Sequence, residues 1–298
     1  MITIIDTNVD ASAHLAALKT AGIRTIIRYL DPIGPRNPKC IKPAEAHAIA
    51  AAGLRLALVC EGWGDFAHGG ISAGAGERDG AWCARYAPTI GVPFARELQS
   101  GGAGANENAA CIYFAVDVDA NAAQIRKLVL PYFEAIDVAF KQLAPKLRIG
   151  VYGSGAVCKA VIAAKLADLA WLSCSMGWEG SRDFFGSNTW ALRQHLPQTI
   201  AGIDCDPNEA NGEFGDFVPF AAAEDRDIAA TQDRHGATSM PTPQEYATVA
   251  AAVQAWINAN AGFYAAMIPA ADIAAVAKVA ADALDACRAN ERADRPGS

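Results

Sequence analysis

Short apolar segments alternate with segments of helical spacing along the chain up to about residue 206. The apolar segments predict strands at residues 2–6, 25–30, 54–60, 110–116, 147–152, 169–174, 189–194 and 199–203. Helices are predicted between most of them, at residues 12–21, 43–53, 80–90, 122–143 and 156–165. The stretch 175–188, rich in Gly, Ser and Trp, takes the place of the next helix. This alternation is typical of a parallel α/β fold.

The number of predicted strands favours a closed barrel over an open sheet. Eight strands by about residue 206 is the number found in a TIM-type (β/α)8 barrel. We therefore predict an α/β fold of this type over residues 1–220, irregular in its later helices. An open, doubly wound sheet is the alternative, because strand counts taken from one sequence err easily.

The composition changes after residue 220. Residues 225–239 are polar and charged, and two alanine-rich segments of helical spacing follow at 244–261 and 270–290. We predict a linker and a C-terminal helical extension over residues 221–298, packed on the barrel. The alternative is a docking surface for an export or lysis partner. Alanine is the commonest residue of the uncharged stretch 246–271, which also contains Pro269 and several amides, so no membrane span is expected.

Composition and charge narrow the classes of partner. Hydrophobic residues make up 52% of the 298 residues, which is enough for a large core, and the net charge is -7. An acidic protein is repelled by nucleic acid and by anionic membranes, so neither partner is expected. The eight cysteines are scattered without a CxxC pair, and we expect no metal and no cofactor. The first residues lack the basic segment of a signal peptide, so we expect synthesis in the cytoplasm without one.

Acidic residues follow several of the predicted strands directly. Catalytic groups of TIM-type barrels lie at the C-terminal ends of the strands, so these acids are expected to meet at one mouth. Any one of them could instead cap a helix or lie in a loop. The candidate catalytic residues are Asp6 after strand 1, Glu61 after strand 3, Asp117 and Asp119 after strand 4, and Asp204, followed by Asp206, after strand 8.

The residues around Asp117 show which face of strand 4 points into the barrel. Side chains alternate between the two faces of a strand. Tyr113, Ala115, Asp117 and Asp119 then share the inner face, while Phe114, Val116 and Val118 face the helices. Two inward carboxylates so close together are not expected to ionise equally. We therefore predict a raised pKa for at least one of Asp117 and Asp119.

Aromatic and polar residues near the same strand ends suit a sugar ligand. Aromatic faces stack on sugar rings, and guanidinium or amide groups bind hydroxyls. Trp171, inside a predicted strand, is interpreted as a core residue. The predicted substrate-binding residues are Arg28, Tyr29, Trp63, Tyr152, Trp178 and Gln194.

These motifs, taken together, resemble a bacterial family first catalogued as a domain of unknown function and now described as glycoside-hydrolase-like TIM barrels. The resemblance covers residues 1–220 and leaves out the tail. It rests on Asp6-Thr-Asn8, Ile27-Arg-Tyr-Leu30, Ala51-Ala-Gly-Leu54 through Glu61, Ile112-Tyr-Phe-Ala-Val-Asp117-Val-Asp119, Gly150-Val-Tyr-Gly-Ser154, Trp171-Leu-Ser173, and Gln194 with Ile203-Asp204.

That family is similar to the family-25 lysozymes, which cut the glycan chain of peptidoglycan. Those enzymes carry Asp-x-Glu at the end of strand 4, where this chain has Asp117-Val-Asp119. The resemblance implies a two-carboxylate glycosidase acting on a cell-envelope glycan, above all peptidoglycan. Asp119 or Glu61 would be the acid, Asp117 the stabilising or nucleophilic carboxylate, and Asp6 and Asp204 would position water or sugar.

Two other functions fit the same residues. One is a catalytically silent barrel that only binds glycan, and the other is an effector or delivery module. For the hydrolase, we expect action at the cell wall after non-classical export or lysis.

Overall fold

The structure, a computed structural model, describes residues 2–32, 37–62, 64–93, 110–144 and 146–219. The predicted tail at 221–298 and the predicted sugar platform Trp63 lie outside the described residues.

A closed barrel of eight strands forms the centre of the described part. Strands β1 to β7 are parallel and neighbour each other in chain order, and β9 lies between β7 and β1, which closes the barrel. The predicted closed barrel in an α/β fold is thereby confirmed. The strands are β1 (Ile4–Asp6), β2 (Thr25–Leu30), β3 (Arg55–Cys60), β4 (Cys111–Ala115), β5 (Arg148–Gly153), β6 (Leu169–Leu172), β7 (Leu192–Gln194), β8 (Gln198–Ile200) and β9 (Ile203–Ala210).

The closing strand differs from the prediction, because β9 runs antiparallel to both of its neighbours. The prediction of residues 199–203 as a parallel eighth strand is wrong: β8 pairs only with β9, as the first strand of a hairpin. Its two turn residues, Ala201 and Gly202, have φ of 54° and 81°. Positive φ at both positions is the signature of a tight hairpin turn. The turn reverses the chain, so β9 starts at the end of the barrel where the parallel strands finish.

Helices pack around the barrel. A π-helical segment, Ile125–Val129, joins α4 to α5. The prediction that residues 175–188 lack a helix is wrong, since α7 lies there. No described helix is both long and apolar enough to cross a membrane. The helices are α1 (Leu15–Thr20), α2 (Pro43–Ala51), α3 (Ala73–Tyr86), α4 (Ala122–Gln124), α5 (Leu130–Leu143), α6 (Gly155–Ala163) and α7 (Ser181–Ser187).

Apolar side chains fill two layers, one inside the barrel and one between the barrel and the helices. Tyr113 and Ala115 belong to the inner layer, and Phe114 and Val116 to the outer one. The predicted faces of strand 4 are therefore confirmed. Gly150 on the neighbouring strand is required by this packing, because a Cβ there would overlap the ring of Tyr113.

The end of the barrel opposite the mouth is closed by residues that follow β9. Phe217 forms an antiparallel bridge with Leu56, and the phenol of Tyr113 donates to the carbonyl of Phe214 at 2.9 Å. Arg55 pairs with Asp216 at the same end. Access to the interior is therefore from the C-terminal ends of the parallel strands.

Candidate active site

Asp6, at the end of β1, is the most deeply placed carboxyl of the mouth and is only 1% exposed. Its oxygens accept hydrogen bonds from the phenol of Tyr29 at 3.1 Å, the amide of Gln194 at 3.2 Å and the amide of Asn208 at 2.7 Å. Burial raises the pKa of Asp6 to about 7, and the charge of Asp206 adds to this, while the three hydrogen bonds oppose it. Asp6 is therefore a carboxyl that exchanges a proton near neutral pH.

Asp206 lies directly opposite Asp6 in the antiparallel register. The amide nitrogen of Gln194 bridges the two carboxyls, at 3.2 Å from Asp6 Oδ2 and 3.0 Å from Asp206 Oδ2. The carbonyl oxygen of Gln194 accepts from the phenol of Tyr152 at 2.9 Å. Asp206 is half-buried, and burial, followed by the charge of Asp117, raises its pKa. This network brings four predicted site residues together: Asp6, Tyr29, Tyr152 and Gln194.

Asp204, predicted as catalytic, lies outside this network. It is exposed on the β8–β9 hairpin, where its carboxylate accepts from the hydroxyl of Thr199 at 2.7 Å. The barrel pairing of β9 with β1 covers only positions 206 to 208. Because β9 runs from the mouth into the barrel, its inner positions beside β1 are occupied by Asp206 and Asn208 and not by Asp204.

Glu61 and Asp117 face each other across Gly64. A Cβ on Gly64 would lie 3.4 Å from Glu61 Oε1 and 3.5 Å from Asp117 Cβ, so these two atoms are no further apart than the sum of the two distances. Asp117 is exposed at the mouth, yet partial desolvation by the surrounding protein raises its pKa, while the phenol of Tyr152 and the charge of Lys39 lower it. Burial also raises the pKa of Glu61; Lys39 opposes this, and the charge of Asp117 adds to it. The predicted raised pKa at Asp117 is confirmed, but desolvation is its first cause.

Lys39 brings a positive charge to this acidic mouth. Its ammonium lies 3.5 Å from Glu61 Oε2 and 3.7 Å from Asp31 Oδ2, and 5.6 Å from the centre of the Tyr29 ring. Asp31 is buried directly after β2 and accepts from the amide of Asn37 at 2.5 Å. The cation is therefore held on one side of the mouth.

Asp119 lies further out than predicted. It is exposed, and its carboxylate accepts from the backbone N–H of Glu179 at 2.8 Å. The hydrogen bond joins the end of β4 to the loop that contains Trp178. Asp119 does not cap the following helix, because Asn121 and Gln124 form a capping box there.

Trp178 is partly exposed, as predicted. It lines a shallow groove of about 310 Å³ formed by residues 176–183. Trp171, by contrast, is 1% exposed inside the barrel, where its indole N–H donates to Asn208 Oδ1 at 2.8 Å. Its interpretation as a core residue is confirmed.

Arg28, predicted to bind substrate, points away from the mouth. It is fully buried between β2 and α2, where it pairs with Glu45 at 2.6 Å and donates to the carbonyl of Thr7. Alternation explains this, because Tyr29 next to it takes the inner face. The structure therefore gives Arg28 no contact with the mouth.

Three mouth residues were missed in the sequence. Asp31 follows β2 directly and carries the same strand-end signal as Asp6. Asn208 could be found only after β9 was known, two positions beyond Asp206 on the same face. Lys39 lies in a loop and gave no signal. Among the described residues, no three His, Cys, Asp or Glu side chains are grouped so as to hold a metal ion.

Residues 16–214 match the model of a family described as "Rv2525c-like, glycoside hydrolase-like domain". Two Bacillus subtilis relatives are uncharacterized proteins. YbfG is 36% identical over 107 residues, which are 32% of this chain and 15% of YbfG. FadG is 28% identical over 192 residues, which are 63% of this chain and 31% of FadG. These alignments span less than a third of either relative.

Two crystal structures of the Mycobacterium tuberculosis Tat-secreted protein Rv2525c share the fold. The complex with HEPES has a TM-score of 0.55 and 20% identity, covering 72% of this chain and 98% of that one. The complex with L-tartrate has the same TM-score and coverage at 19% identity. At this identity, the likeness concerns the fold.

Proposed function

We propose that this chain, which belongs to the Rv2525c-like family of glycoside-hydrolase-like domains, hydrolyses glycosidic bonds of a bacterial cell-envelope glycan, with peptidoglycan as the first candidate. The observation that carries the proposal is the facing pair Glu61 and Asp117 at the open end of the barrel. Two carboxyls on either side of a glycosidic bond are what most glycosidases use.

The two carboxyls have different surroundings, which suggests their roles. The Tyr152 phenol and the Lys39 charge favour the ionised form of Asp117. Burial, the largest influence, favours the protonated form of Glu61, and the charge of Asp117 adds to it against the opposing charge of Lys39. We therefore assign Glu61 as the acid that protonates the leaving oxygen. Asp117 is then the carboxylate that stabilises the oxocarbenium-like state or attacks it.

Asp119 is less suited to the acid role than Glu61. It is exposed, and one of its oxygens is engaged by the backbone of Glu179. Asp119 instead supports the loop of Trp178, whose partly exposed indole we propose as a platform for a neighbouring sugar. Asp6 and Asp206, bridged by Gln194, form the polar floor below the sugar.

The test is digestion of purified cell-wall sacculi at several pH values, with new reducing ends measured by mass spectrometry of the released fragments. Asp117→Asn keeps the shape and removes the charge, and we expect a loss of turnover of at least about a hundredfold with unchanged folding. Glu134→Gln, at the exposed surface of α5, is the matched control and should cleave like wild type. Cleavage by Asp117→Asn at the wild-type rate would refute the assigned roles.

A glycan-binding barrel without turnover is the second candidate, favoured by the Asp117-Val-Asp119 motif in place of Asp-x-Glu. Binding of wild type to sacculi in a pull-down assay, without any new reducing ends, would select it over the hydrolase.

Because the proposed substrate lies outside the cytoplasm, we further propose that the protein reaches the wall by non-classical export or by lysis. A partner for this step would dock on residues 221–298, which lie outside the described residues. Fractionation of growing and lysed cultures tests this, and a protein that never enters the wall fraction in either culture argues against it.

A further inference from the structure

Lys39 is held in place by three groups around it. Its ammonium lies between Asp31 Oδ2 at 3.7 Å and Glu61 Oε2 at 3.5 Å, above the face of Tyr29. The side chain is only 23% exposed, so these contacts are partly shielded from water. Asp31 is itself fixed, because it is 2% exposed at its side chain and hydrogen-bonded by Asn37. The Lys39 ammonium is therefore held in a fixed position beside Glu61, one of the two facing carboxyls.

Opposite charges at this distance favour the ionised carboxylate, and partial burial strengthens the effect. Lys39 and Asp117 therefore act on Glu61 in opposite directions. Arg78 and Asp79 of α3 lie on the far side of Gly62 and pair with each other. Within the part of the chain that the structure describes, the charged and titratable groups around Glu61 are Lys39, Asp31, Asp117, Tyr29, Tyr152 and the Arg78–Asp79 pair.

We propose that Lys39 is a positioning residue that holds the Glu61 carboxyl against the Asp31 side of the mouth and favours the loss of its proton. The proposal deepens the proposed function, on which its catalytic consequence rests. With the Lys39 ammonium in this position, Glu61 releases its proton at a lower pH than it would without the Lys39 charge. Activity that needs protonated Glu61 then declines earlier as the pH rises.

The experiment follows the titration of Glu61 by carbon NMR of the full chain labelled at glutamate carboxyls, with the signal assigned through Glu61→Gln. Lys39→Met removes the charge and keeps the length of the side chain, and we expect the Glu61 midpoint to rise by on the order of one pH unit. Lys39→Arg keeps the charge and should restore the midpoint towards wild type. Lys141→Met removes an exposed lysine of α5 and is the control for net charge.

Two outcomes would overturn the proposal. One is an unchanged midpoint in Lys39→Met with the fold intact by thermal unfolding. The other is an equal shift in Lys141→Met, which would make the effect one of overall charge. If the wall is cleaved, the alkaline limb of the pH–rate profile should move up with the midpoint in Lys39→Met. A wild type that cleaves nothing but shows the shift supports the role of Lys39 and refutes the proposed hydrolase, so the two failures are distinguishable.

Discussion

The raised pKa of Asp6 predicts a specific dependence of stability on pH. An aspartate in the unfolded chain ionises near its ordinary pKa of 3.8, whereas the pKa of Asp6 in the fold is about 7. Between these values, the folded protein keeps a proton that the unfolded chain has released, so stability falls as the pH rises. The stabilisation that protonated Asp6 provides is fully present below the unfolded pKa of 3.8 and is lost above the folded pKa of about 7. About three pKa units at about 1.4 kcal/mol each correspond to about 4 kcal/mol.

Asp6→Asn removes this dependence, because an amide does not ionise. The free energy of unfolding is measured by urea denaturation at pH 4 to 8 for wild type and for Asp6→Asn, with Glu134→Gln as the surface control. The introduced amide also faces the donors of Gln194 and Asn208, and this changes the free energy of unfolding by the same amount at every pH. We expect wild type to lose about 4 kcal/mol relative to Asp6→Asn over this range. If the difference in unfolding free energy between wild type and Asp6→Asn does not change with pH, the raised pKa of Asp6 and its burial at the mouth are refuted.

Two further predictions concern packing and binding. Gly150→Ala should lower stability by about 1–3 kcal/mol, because the new Cβ overlaps the ring of Tyr113; Gly177→Ala, where the Cβ meets no atom within 4 Å, is the control in the same thermal unfolding series. Trp178→Ala should weaken binding to sacculi on the order of tenfold without changing the unfolding midpoint, since the indole is partly exposed. Trp82→Ala on α3, also partly exposed, should leave binding unchanged, and equal loss in both variants would remove Trp178 from the proposed site.

The parts of the mouth that lie on parallel strands were predictable from the sequence. Strict alternation placed Tyr113, Ala115 and Asp117 on the inner face, and the structure confirms the first two as inner packing. The same physical rule works wherever a strand is buried on both sides and ends at the mouth. The prediction for Arg28 was wrong because neighbouring side chains of a strand point to opposite faces, so that only Tyr29 of the two can face the mouth.

The closing strand was not predictable in the same way. Its direction depends on a two-residue turn that contains Ala201, a residue type that rarely adopts positive φ. If residues 199–203 formed a parallel strand, as the sequence predicts, Asp204 would follow its end at the mouth and Asn208 would lie beyond the strand. The residue types of the turn do not indicate this backbone conformation. The positions of Asp206 and Asn208 at the floor of the site could therefore not be predicted.

The antiparallel closing strand also affects how the protein is made. Asp6 lies near the start of the chain, while Gln194 and Asn208 reach it from 188 and 202 positions later. A growing chain that has emerged only through β7 already carries Gln194 but lacks β9, so the barrel is open between β7 and β1 and Asn208 cannot donate to Asp6. Contacts so distant in sequence form late and slowly. The neutral-pH titration of Asp6 is thus a signal that appears only when the barrel has closed, and it can report the final step of folding in a refolding experiment.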